Sequence, residues 1–329
     1  MITARAVRIR EPGDVSVLEV GPFEVREPGP GELLVEVTAA GLNRADLLQR
    51  RGLYPAPAGV AADVPGLEYS GQVAAVGLGV NSFRPGERVM GIVGGGAMAT
   101  HLVVSEREVM PLPPTVSETD AAAIPEAFLT SWDALFRQAN LAAGEHVLIH
   151  AVASGVGTAA LQLALVAGAE PLGTSRTREK LERCTALGLA HALCCPEPKF
   201  AAEVLALTHG RGADVILDTV GAPYFEENLR ALAPRGRMVL IGTMGGANAT
   251  APLGLWLQKR ATIIGSVLRS RAPEEKATLA RDFAHRMVPL FERGRLKPIV
   301  DAVLPMSDVR EAHRRMERGD TFGKIVLAW

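Results

Sequence analysis

The chain of 329 residues is long enough for two domains, each with its own hydrophobic core. Its composition, 48% hydrophobic and 22% charged, is that of an ordinary globular protein, and no apolar run approaches the ~20 residues that span a bilayer. The formal net charge of −1 excludes a strongly basic surface, so we expect neither strong nucleic-acid binding nor attraction to an anionic membrane.

The first part of the chain predicts a small β-rich domain. Residues 1–10 alternate apolar and basic side chains, as in an exposed strand, and lack the continuous apolar block of a signal peptide. We therefore expect a cytoplasmic protein. Further short strands, closed by turns rich in Pro and Gly, are predicted at residues 32–38, 70–76, 88–93 and 101–104.

Residues 120–130 are alanine-rich and helix-like, which marks the entry to a second domain. Strands and helices then alternate, which predicts a doubly wound parallel sheet. The predicted strands are 147–149, 170–174, 213–218, 237–242 and 262–265, with helices after the first three at about 155–160, 177–187 and 223–233.

The tail after residue 265 is predicted as helix 277–293, strand 299–304, helix 309–318 and strand 324–327. We expect it to fold back onto the first domain. The predicted domains are therefore residues 1–121 with 264–329, and residues 122–263.

A glycine-rich turn follows the strand at 147–149 and has the spacing G-x-G-x-x-A. Gly155 is expected to let the chain turn, Gly157 to let the backbone approach a pyrophosphate, and Ala160 to let the helix pack close to the sheet. Ser154 and Val156 complete the predicted cradle, because the helix N-terminus offers N–H groups and the positive end of its dipole to phosphates. Such turns also occur without a ligand, but the strand and helix alternation favours a dinucleotide site.

An NAD site places an acidic residue at the end of the second strand, about 20 residues after the glycines. This chain has Ser175 and Arg176 there, followed by Lys180 one helical turn later. Arg176 can donate two hydrogen bonds to phosphate oxygens, and Ser175 and Lys180 can add a hydroxyl and a second charge. We therefore predict NADPH as cofactor, with NADH bound more weakly. The alternative is that these residues form a solvated helix start; Glu179 falls inside the helix and is discounted.

Several short segments resemble one family nearly from end to end. They are LNRADL at 42–47, RGLYP at 51–55, PGLEYSG at 65–71, AIPEA at 123–127, SGVGTA at 154–159, LRSR at 268–271 and GKIVL at 323–327. The chain thereby resembles the zinc-independent quinone oxidoreductases of the zeta-crystallin type in the medium-chain dehydrogenase/reductase superfamily, and most closely the tumour-suppressor-inducible branch. This resemblance implies an α/β fold, with a Rossmann-type doubly wound parallel sheet plus a β-rich GroES-like catalytic domain.

The zinc ligands of related enzymes are missing. In zinc-bearing relatives a His precedes the Glu that matches Glu68, and a Cys lies in the segment matching residues 41–46. This chain has Leu67 and no Cys there, and it lacks the four-Cys lobe. We predict no metal, which disfavours alcohol oxidation because no Lewis acid polarises the alcohol oxygen.

The resemblance also implies site residues. Asn43 is expected to contact the nicotinamide ribose or the substrate, and Tyr54 to donate its hydroxyl to a substrate carbonyl. Asn43 is alternatively a turn residue that bonds its own backbone, Tyr54 a loop anchor, and Asp46 is expected to be structural.

Further cofactor residues follow from the same resemblance. Thr130 is expected to face the nicotinamide, while three residues after the fifth strand pass under the ribose and nicotinamide and three others close the pocket. Each has an alternative as a simple turn or core residue. Cys195 stands where close relatives have a Tyr near the 2′-phosphate, which weakens the expected preference for NADPH. The three residues after the fifth strand are Gly242, Met244 and Gly245, and the three that close the pocket are Leu268, Ser270 and Lys324.

These observations predict an NADPH-dependent quinone reductase that uses neither zinc nor flavin. Its substrate would be a small quinone. One alternative is an NADPH-dependent reductase of the double bond of a 2-alkenal or enone. Another is a non-catalytic NADPH-binding protein that binds RNA or a partner, which the nearly neutral charge disfavours. By analogy with relatives we expect a homodimer, paired through the edge of the sheet that the fourth to sixth strands and the run 238–243 form.

Overall fold

The structure, a computed structural model, describes residues 1–329. The strands are β1 (Ile2–Ile9), β2 (Leu18–Val25), β3 (Glu32–Gly41), β4 (Glu68–Val76), β5 (Arg88–Ile92), β6 (His101–Ser105), β7 (Val109–Pro111), β8 (His146–Ile149), β9 (Glu170–Ser175), β10 (His191–Cys194), β11 (Ala213–Asp218), β12 (Leu232–Leu240), β13 (Thr262–Gly265), β14 (Val300–Pro305) and β15 (Lys324–Ala328). The helices are α1 (Arg44–Arg50), α2 (Glu118–Ala121), α3 (Pro125–Trp132), α4 (Gly155–Val166), α5 (Arg178–Ala186), α6 (Ala201–Leu207), α7 (Phe225–Ala231), α8 (Leu253–Lys259), α9 (Pro273–Arg286), α10 (Val288–Glu292) and α11 (Val309–Arg318). No helix combines the length and the apolar character that crossing a bilayer requires.

The chain divides into two compact units. The β-rich unit contains Met1–Leu129 and Leu268–Trp329, and the parallel-sheet unit contains Thr130–Val267.

The parallel-sheet unit has six parallel strands in the order β10-β9-β8-β11-β12-β13. Its central strands are apolar and buried because helices cover both faces; every residue of β11 is buried. The strand order reverses between β8 and β11, the position where doubly wound sheets bind nucleotides. Of the region predicted to pair with a second subunit, the run 238–243 is not at an edge: β12 is covered by β13, whose four residues form one edge of the sheet.

The β-rich unit contains a seven-stranded sheet in the order β14-β15-β3-β4-β5-β7, with β6 also paired to β3, and a separate β1–β2 ladder. Strand β3 runs antiparallel to both β4 and β15. The end of β3 at Gly41 therefore meets the beginning of β4 at Glu68 and the beginning of β15 at Lys324. This meeting of three strand ends positions the polar cluster described below.

Prolines divide two of the predicted helices. The helix predicted at 120–130 is α2 followed by α3, which begins at Pro125 and continues into a π-helical segment, Asp133–Gln138. The helix predicted at 277–293 is α9 followed by α10, where Pro289 lies in the first turn. Proline lacks the N–H that would continue a helix but fits its first turn, so each proline lies in the first turn of a new helix.

Candidate active site

The glycine-rich turn joins β8 to α4 and has a different geometry from the predicted one. Ala151 is the residue with left-handed backbone conformation (φ 48°), whereas Gly155 is simply the first residue of α4. Ser154 is the N-cap, and its Oγ accepts a hydrogen bond of 3.0 Å from the Gly157 amide. The prediction that Gly155 makes the turn is therefore wrong; Ala151 makes it, held by the surrounding strands.

Gly157 is required because the helix begins directly against this turn. A Cβ on Gly157 would lie 2.4 Å from the Ala151 carbonyl oxygen. The amides of Gly155 and Val156 occupy the first two positions of the 12-residue α4, where no acceptor exists within the helix. These amides and the helix dipole fit an anion such as the pyrophosphate of a dinucleotide.

The end of β9 carries no carboxylate. Ser175 ends the strand, half-buried, and Arg176 follows as an exposed residue before α5. Lys180 lies in the first turn of α5, partly exposed, beside the exposed Glu179. Tyr224 lies close enough for the Arg176 charge to act on its phenol, whose pKa is raised chiefly by burial.

The remaining predicted cofactor residues of this unit lie on two segments. Thr130 is in α3 and has a buried hydroxyl without a partner, and the neighbouring Ser131 donates to the Val156 carbonyl at 2.9 Å. Gly242, Met244 and Gly245 follow β12; the last two donate their amides to Thr219 and Val220 at 3.3 and 2.8 Å. Thr219 also has a buried hydroxyl without a partner. Two orphaned hydroxyls in the unit that carries the glycine turn fit a bound polar molecule.

A buried network connects the ends of three strands in the same unit. His150 follows β8, and its Nε2 lies 2.6 Å from Asn228 Oδ1 while its Nδ1 lies 2.9 Å from Thr174 Oγ1. The Asn228 amide donates to Asp218 at 3.0 Å, so its oxygen must accept from His150. Nε2 therefore carries a proton, and burial lowers the pKa of the imidazole to about 4, which keeps the ring neutral at pH 7. Burial also raises the pKa of Asp218 to about 6.

We expect His150 to make the protein less stable in mild acid. Between pH 6.5 and about 4 the unfolded chain binds a proton at His150 that the folded chain does not, so stability falls as pH falls. At pH 5 this loss amounts to about 2 kcal/mol. Asp218 opposes it, because its raised pKa lets the folded state take up a proton first.

Urea unfolding from pH 7 to pH 5 measures this effect. His150→Gln is expected to be less stable than wild type at pH 7 but to lose about 2 kcal/mol less on acidification. Because Asp218 titrates in both proteins, its contribution largely cancels in the comparison. Identical pH slopes would show that His150 is not held neutral.

The β-rich unit contains a second polar cluster, built around Lys324. The Lys324 ammonium is buried and donates to Leu42 O, Asn43 Oδ1 and Glu68 Oε1 at 2.7, 2.6 and 2.6 Å. All three N–H groups of the ammonium therefore have an acceptor. The Asn43 amide donates to the same Glu68 oxygen at 2.9 Å and to Gly41 O at 3.1 Å. The structure thus brings Asn43 and Lys324 together. The Asn43 side chain donates to the nearby Gly41 carbonyl and also bonds both members of the Lys324–Glu68 ion pair.

Glu68 is fully buried, and both of its carboxylate oxygens accept hydrogen bonds. Its second oxygen accepts the Glu126 backbone amide at 2.8 Å, at the beginning of α3. A carboxylate is favoured there because the helix N-terminus is electropositive. Gly41 makes room for this arrangement, since a Cβ would lie 2.4 Å from Glu68 Oε1 and from Ala122 O.

We expect Gly41→Ala to destabilise the protein by about 1–3 kcal/mol, because the methyl group must displace the Glu68 carboxylate or the Ala122 backbone. The free energy of unfolding by guanidinium chloride measures this. Gly21→Ala is the matched control: Gly21 also lies in a strand, but no atom lies within 4 Å of the position that its added methyl group would take. Equal stabilities of the two variants would contradict the close approach.

Two more carboxyls lie near this pair. Asp46 is buried, and its oxygens accept the amides of Asn43 and Gly66 at 2.8 and 2.9 Å, which agrees with the structural role expected for it. Burial raises the pKa of Asp46 to about 6. Glu126 is partly exposed, and its pKa is raised to about 7, first by desolvation and then by the charge of Glu68.

Tyr54 lies on the loop after α1 and is held through Arg269. Arg269 donates to Gly94 O, Tyr54 O and Gln49 Oε1 at 2.7, 3.0 and 2.6 Å, and its guanidinium lies 4.7 Å from the Tyr54 ring centroid. The Tyr54 hydroxyl has no protein partner and is available to a ligand, while burial raises its pKa. Beside Arg269, Leu268 is buried and Ser270 is exposed.

The donor set does not fit a catalytic zinc. No group of three or more His, Cys, Asp or Glu side chains is arranged to hold a metal ion. Glu68 is paired with the Lys324 ammonium, whose charge would repel a divalent cation at that carboxylate.

The sequence interpretation missed Glu68, Glu126 and Arg269 as members of this cluster. For the two glutamates the available signal was the placement of charged side chains in apolar surroundings, at the beginning of β4 and in the first turn of α3. It also missed the His150 network, because a single histidine after a strand is typical of core packing.

Two protein families match separate parts of the chain. Residues 29–114 match the alcohol dehydrogenase GroES-like domain, and residues 155–285 match the zinc-binding dehydrogenase family. The predicted α/β fold, with a GroES-like domain and a Rossmann-type parallel sheet, is confirmed.

Among curated relatives, the phthioceranic/hydroxyphthioceranic acid synthase of Mycobacterium tuberculosis is 34% identical over 325 residues. That match covers 98% of this chain, which spans only 15% of the length of the synthase. The quinone oxidoreductase-like protein 2 homolog of Nematostella vectensis is 32% identical over 326 residues, covering 98% of this chain and 88% of that protein.

Solved structures extend the similarity to nearly the whole chain. The quinone oxidoreductase of Pseudomonas syringae pv. Tomato DC3000 has a TM-score of 0.90 and 31% identity, covering 99% of this chain and 100% of that one. The CurK enoyl reductase has a TM-score of 0.88 and 30% identity, covering 99% of both chains. The chain therefore belongs to the medium-chain dehydrogenase/reductase superfamily.

Proposed function

We propose that this protein reduces small quinones with NADPH, without zinc and without flavin. The observation that carries the proposal is the Lys324–Glu68–Asn43 cluster, where an internal ammonium neutralises the buried carboxylate. Without a Lewis acid, an alcohol is a poor hydride donor, whereas a quinone accepts hydride readily. The Nematostella and Pseudomonas relatives, both named as quinone oxidoreductases or similar to them, support the same acceptor class.

The residues proposed to hold NADPH lie in three groups of the parallel-sheet unit. The amides of Gly155 and Val156, with Gly157 and the Ser154 cap, bind the pyrophosphate. Thr130 and the segment Gly242, Met244 and Gly245 bind the nicotinamide half, and Ser175, Arg176 and Lys180 bind the 2′-phosphate. Bound there, the reduced nicotinamide supplies a hydride.

The β-rich unit supplies the acceptor side. The Tyr54 hydroxyl, which has no protein partner, donates to the quinone oxygen. Asn43 uses both amide protons within the protein, so its free capacity is one lone pair on Oδ1, which accepts from a ribose or substrate hydroxyl. Lys324 is proposed to act by fixing Asn43 and Glu68, and Leu268 and Ser270 are proposed to close the pocket, as the resemblance implies.

A second candidate is reduction of the double bond of a 2-alkenal or enone. The observation that favours it is the similarity to the CurK enoyl reductase over 99% of the chain. It needs the same donor and the same stabilisation of charge on a carbonyl oxygen.

The absorbance of NADPH tests the proposal. Its loss is measured with an ortho-quinone and with a 2-alkenal, and its gain is measured with NADP⁺ and a primary alcohol. We expect turnover with the quinone, none with the alcohol, and no zinc or flavin in the purified protein. Faster turnover of the alkenal would favour the second candidate. Stoichiometric zinc or a flavin absorbance would contradict the proposal.

We also propose a homodimer that pairs along β13. The outer edge of this strand has unpaired backbone groups, and the preceding α8 exposes Leu253 and Leu257 at 63% and 77%. A second copy would satisfy both features by continuing the sheet and covering the leucines. Light scattering at micromolar concentration should give the dimer mass, and a monomer mass would contradict pairing.

A further inference from the structure

The carboxyl of Glu126 has no role in the function proposed above. Three carboxyls, of Asp46, Glu68 and Glu126, lie near two cations, Lys324 and Arg269. The cluster therefore has one negative charge too many if every group is ionised. In a poorly solvated site this excess favours uptake of one proton.

The hydrogen bonds favour Glu126 as the carboxyl that takes the proton. Glu68 accepts hydrogen bonds from the Lys324 ammonium, the Asn43 amide and a helix amide, and Asp46 accepts hydrogen bonds from two backbone amides, so donors already surround both of these carboxyls. No hydrogen bond or ion pair engages the Glu126 carboxyl. Arg269 is occupied by three other acceptors.

Glu126 is also the least buried of the three acids. It is partly exposed, whereas Glu68 and Asp46 are fully buried. The Tyr54 phenol, proposed above to bind the quinone oxygen, lies within range of its charge, since Glu126 raises the pKa of that phenol. An unpaired carboxyl near a substrate-binding hydroxyl is placed as a proton donor.

We infer that Glu126 is protonated in the resting enzyme and donates that proton to the quinone oxygen after hydride transfer. The inference rests on the proposed function. The quinone gains a hydride from NADPH and becomes a hydroquinone monoanion. An O–H bond then forms as the Glu126 O–H breaks, and the carboxylate regains a proton from water. The sum is quinone, NADPH and one proton giving hydroquinone and NADP⁺.

The raised pKa of Glu126, about 7, fits this role because the acid is then half-protonated near neutral pH. The groups that face it are Glu68 on β4, Asp46 on α1, Lys324 on β15, Arg269 after β13 and Tyr54 on the loop after α1. Desolvation and the charges of Glu68 and Asp46 favour protonation of Glu126. The charges of Lys324 and Arg269 oppose it.

Glu126→Gln tests the inference in two ways. In quinone reduction, kcat/KM of the wild type should fall above about pH 7, whereas the variant should be about 10²-fold slower at pH 6 and lack this fall. Glu126→Asp should restore the pH dependence in part. The exposed Glu24→Gln in β2 is the matched control and should behave as wild type.

The second measurement needs neither cofactor nor substrate. The folded protein binds a proton at Glu126 between pH 4.5 and about 7 that the unfolded chain does not, so this contribution to stability is lost as pH rises. Glutamine mimics the protonated acid, so the denaturation midpoint of Glu126→Gln should rise relative to wild type between pH 5 and pH 8. A constant difference would overturn the protonated ground state.

The two measurements separate the inference from the proposed function. Wild-type turnover with an unchanged pH profile in Glu126→Gln would overturn the donor role and leave the quinone reductase intact. Absence of turnover with every acceptor would overturn the proposed function and the donor role, while the stability measurement still decides the protonation.

Discussion

Replacing Lys324 with methionine is expected to lower the free energy of unfolding by about 3–5 kcal/mol. The substitution leaves the fully buried Glu68 carboxylate without its cation, and it removes the donor to Asn43 Oδ1 and Leu42 O. Taking one partner from a buried pair is costly because the remaining charge is neither hydrated nor compensated. Urea denaturation of the purified variant at pH 7 measures the loss.

Two further variants show whether the loss comes from the buried charge. Lys199→Met removes a lysine whose side chain is 81% exposed, and whose pairing with Glu197 is worth at most about 1 kcal/mol. Adding Glu68→Gln to Lys324→Met removes the stranded charge and should recover a substantial part of the stability. If the double variant is as unstable as the sum of the single ones, the pair is not coupled as described.

Replacing Arg176 with alanine is expected to raise the Kd for NADPH about 10- to 100-fold and to leave the Kd for NADH within about twofold of wild type. The reason is that Arg176 is proposed to contact only the 2′-phosphate, and one charge-assisted hydrogen bond contributes about 1.5–3 kcal/mol. Its exposure at the end of β9 makes the lower part of this range the better expectation. Fluorescence titration with each nucleotide measures both constants.

Arg183→Ala is the matched control, because Arg183 lies in the last turn of the same helix α5 that follows Arg176. It should change neither constant. Equal losses for NADPH and NADH in Arg176→Ala would place this residue at the pyrophosphate or in a structural role, and the preference for NADPH would then lose its support.

The fold of the parallel-sheet unit could be predicted because its signals are local. A parallel strand buried on both faces must be apolar along its length, and the connecting helix must have a different hydrophobic period. Each element can therefore be recognised within about ten residues of sequence. The same holds for the turn before α4 and for the missing acid after β9. Within that turn, however, the left-handed residue is Ala151 rather than Gly155, because the backbone path depends on how β8 and β9 hold it.

The polar cluster of the β-rich unit could be predicted only in part. Asn43 and Lys324 were both expected near the cofactor or substrate, but their contact with each other and with Glu68 joins residues up to 281 positions apart. No periodicity in the sequence reports that the ends of β3, β4 and β15 meet. The assignment of these residues to cofactor or substrate remains a prediction.

The amino-acid sequence by itself determined the alternation of strands and helices, the glycine-rich turn before α4, and the basic residue where an NAD enzyme has an acid. These are properties of short segments, set by side-chain periodicity, glycine and charge. Only the tertiary structure decided that β13 is the sheet edge, that Lys324 neutralises Glu68, and that Glu126 is left without a partner. Strand order and burial decide these, because the energy of a charge depends on its neighbours in space and on its access to water.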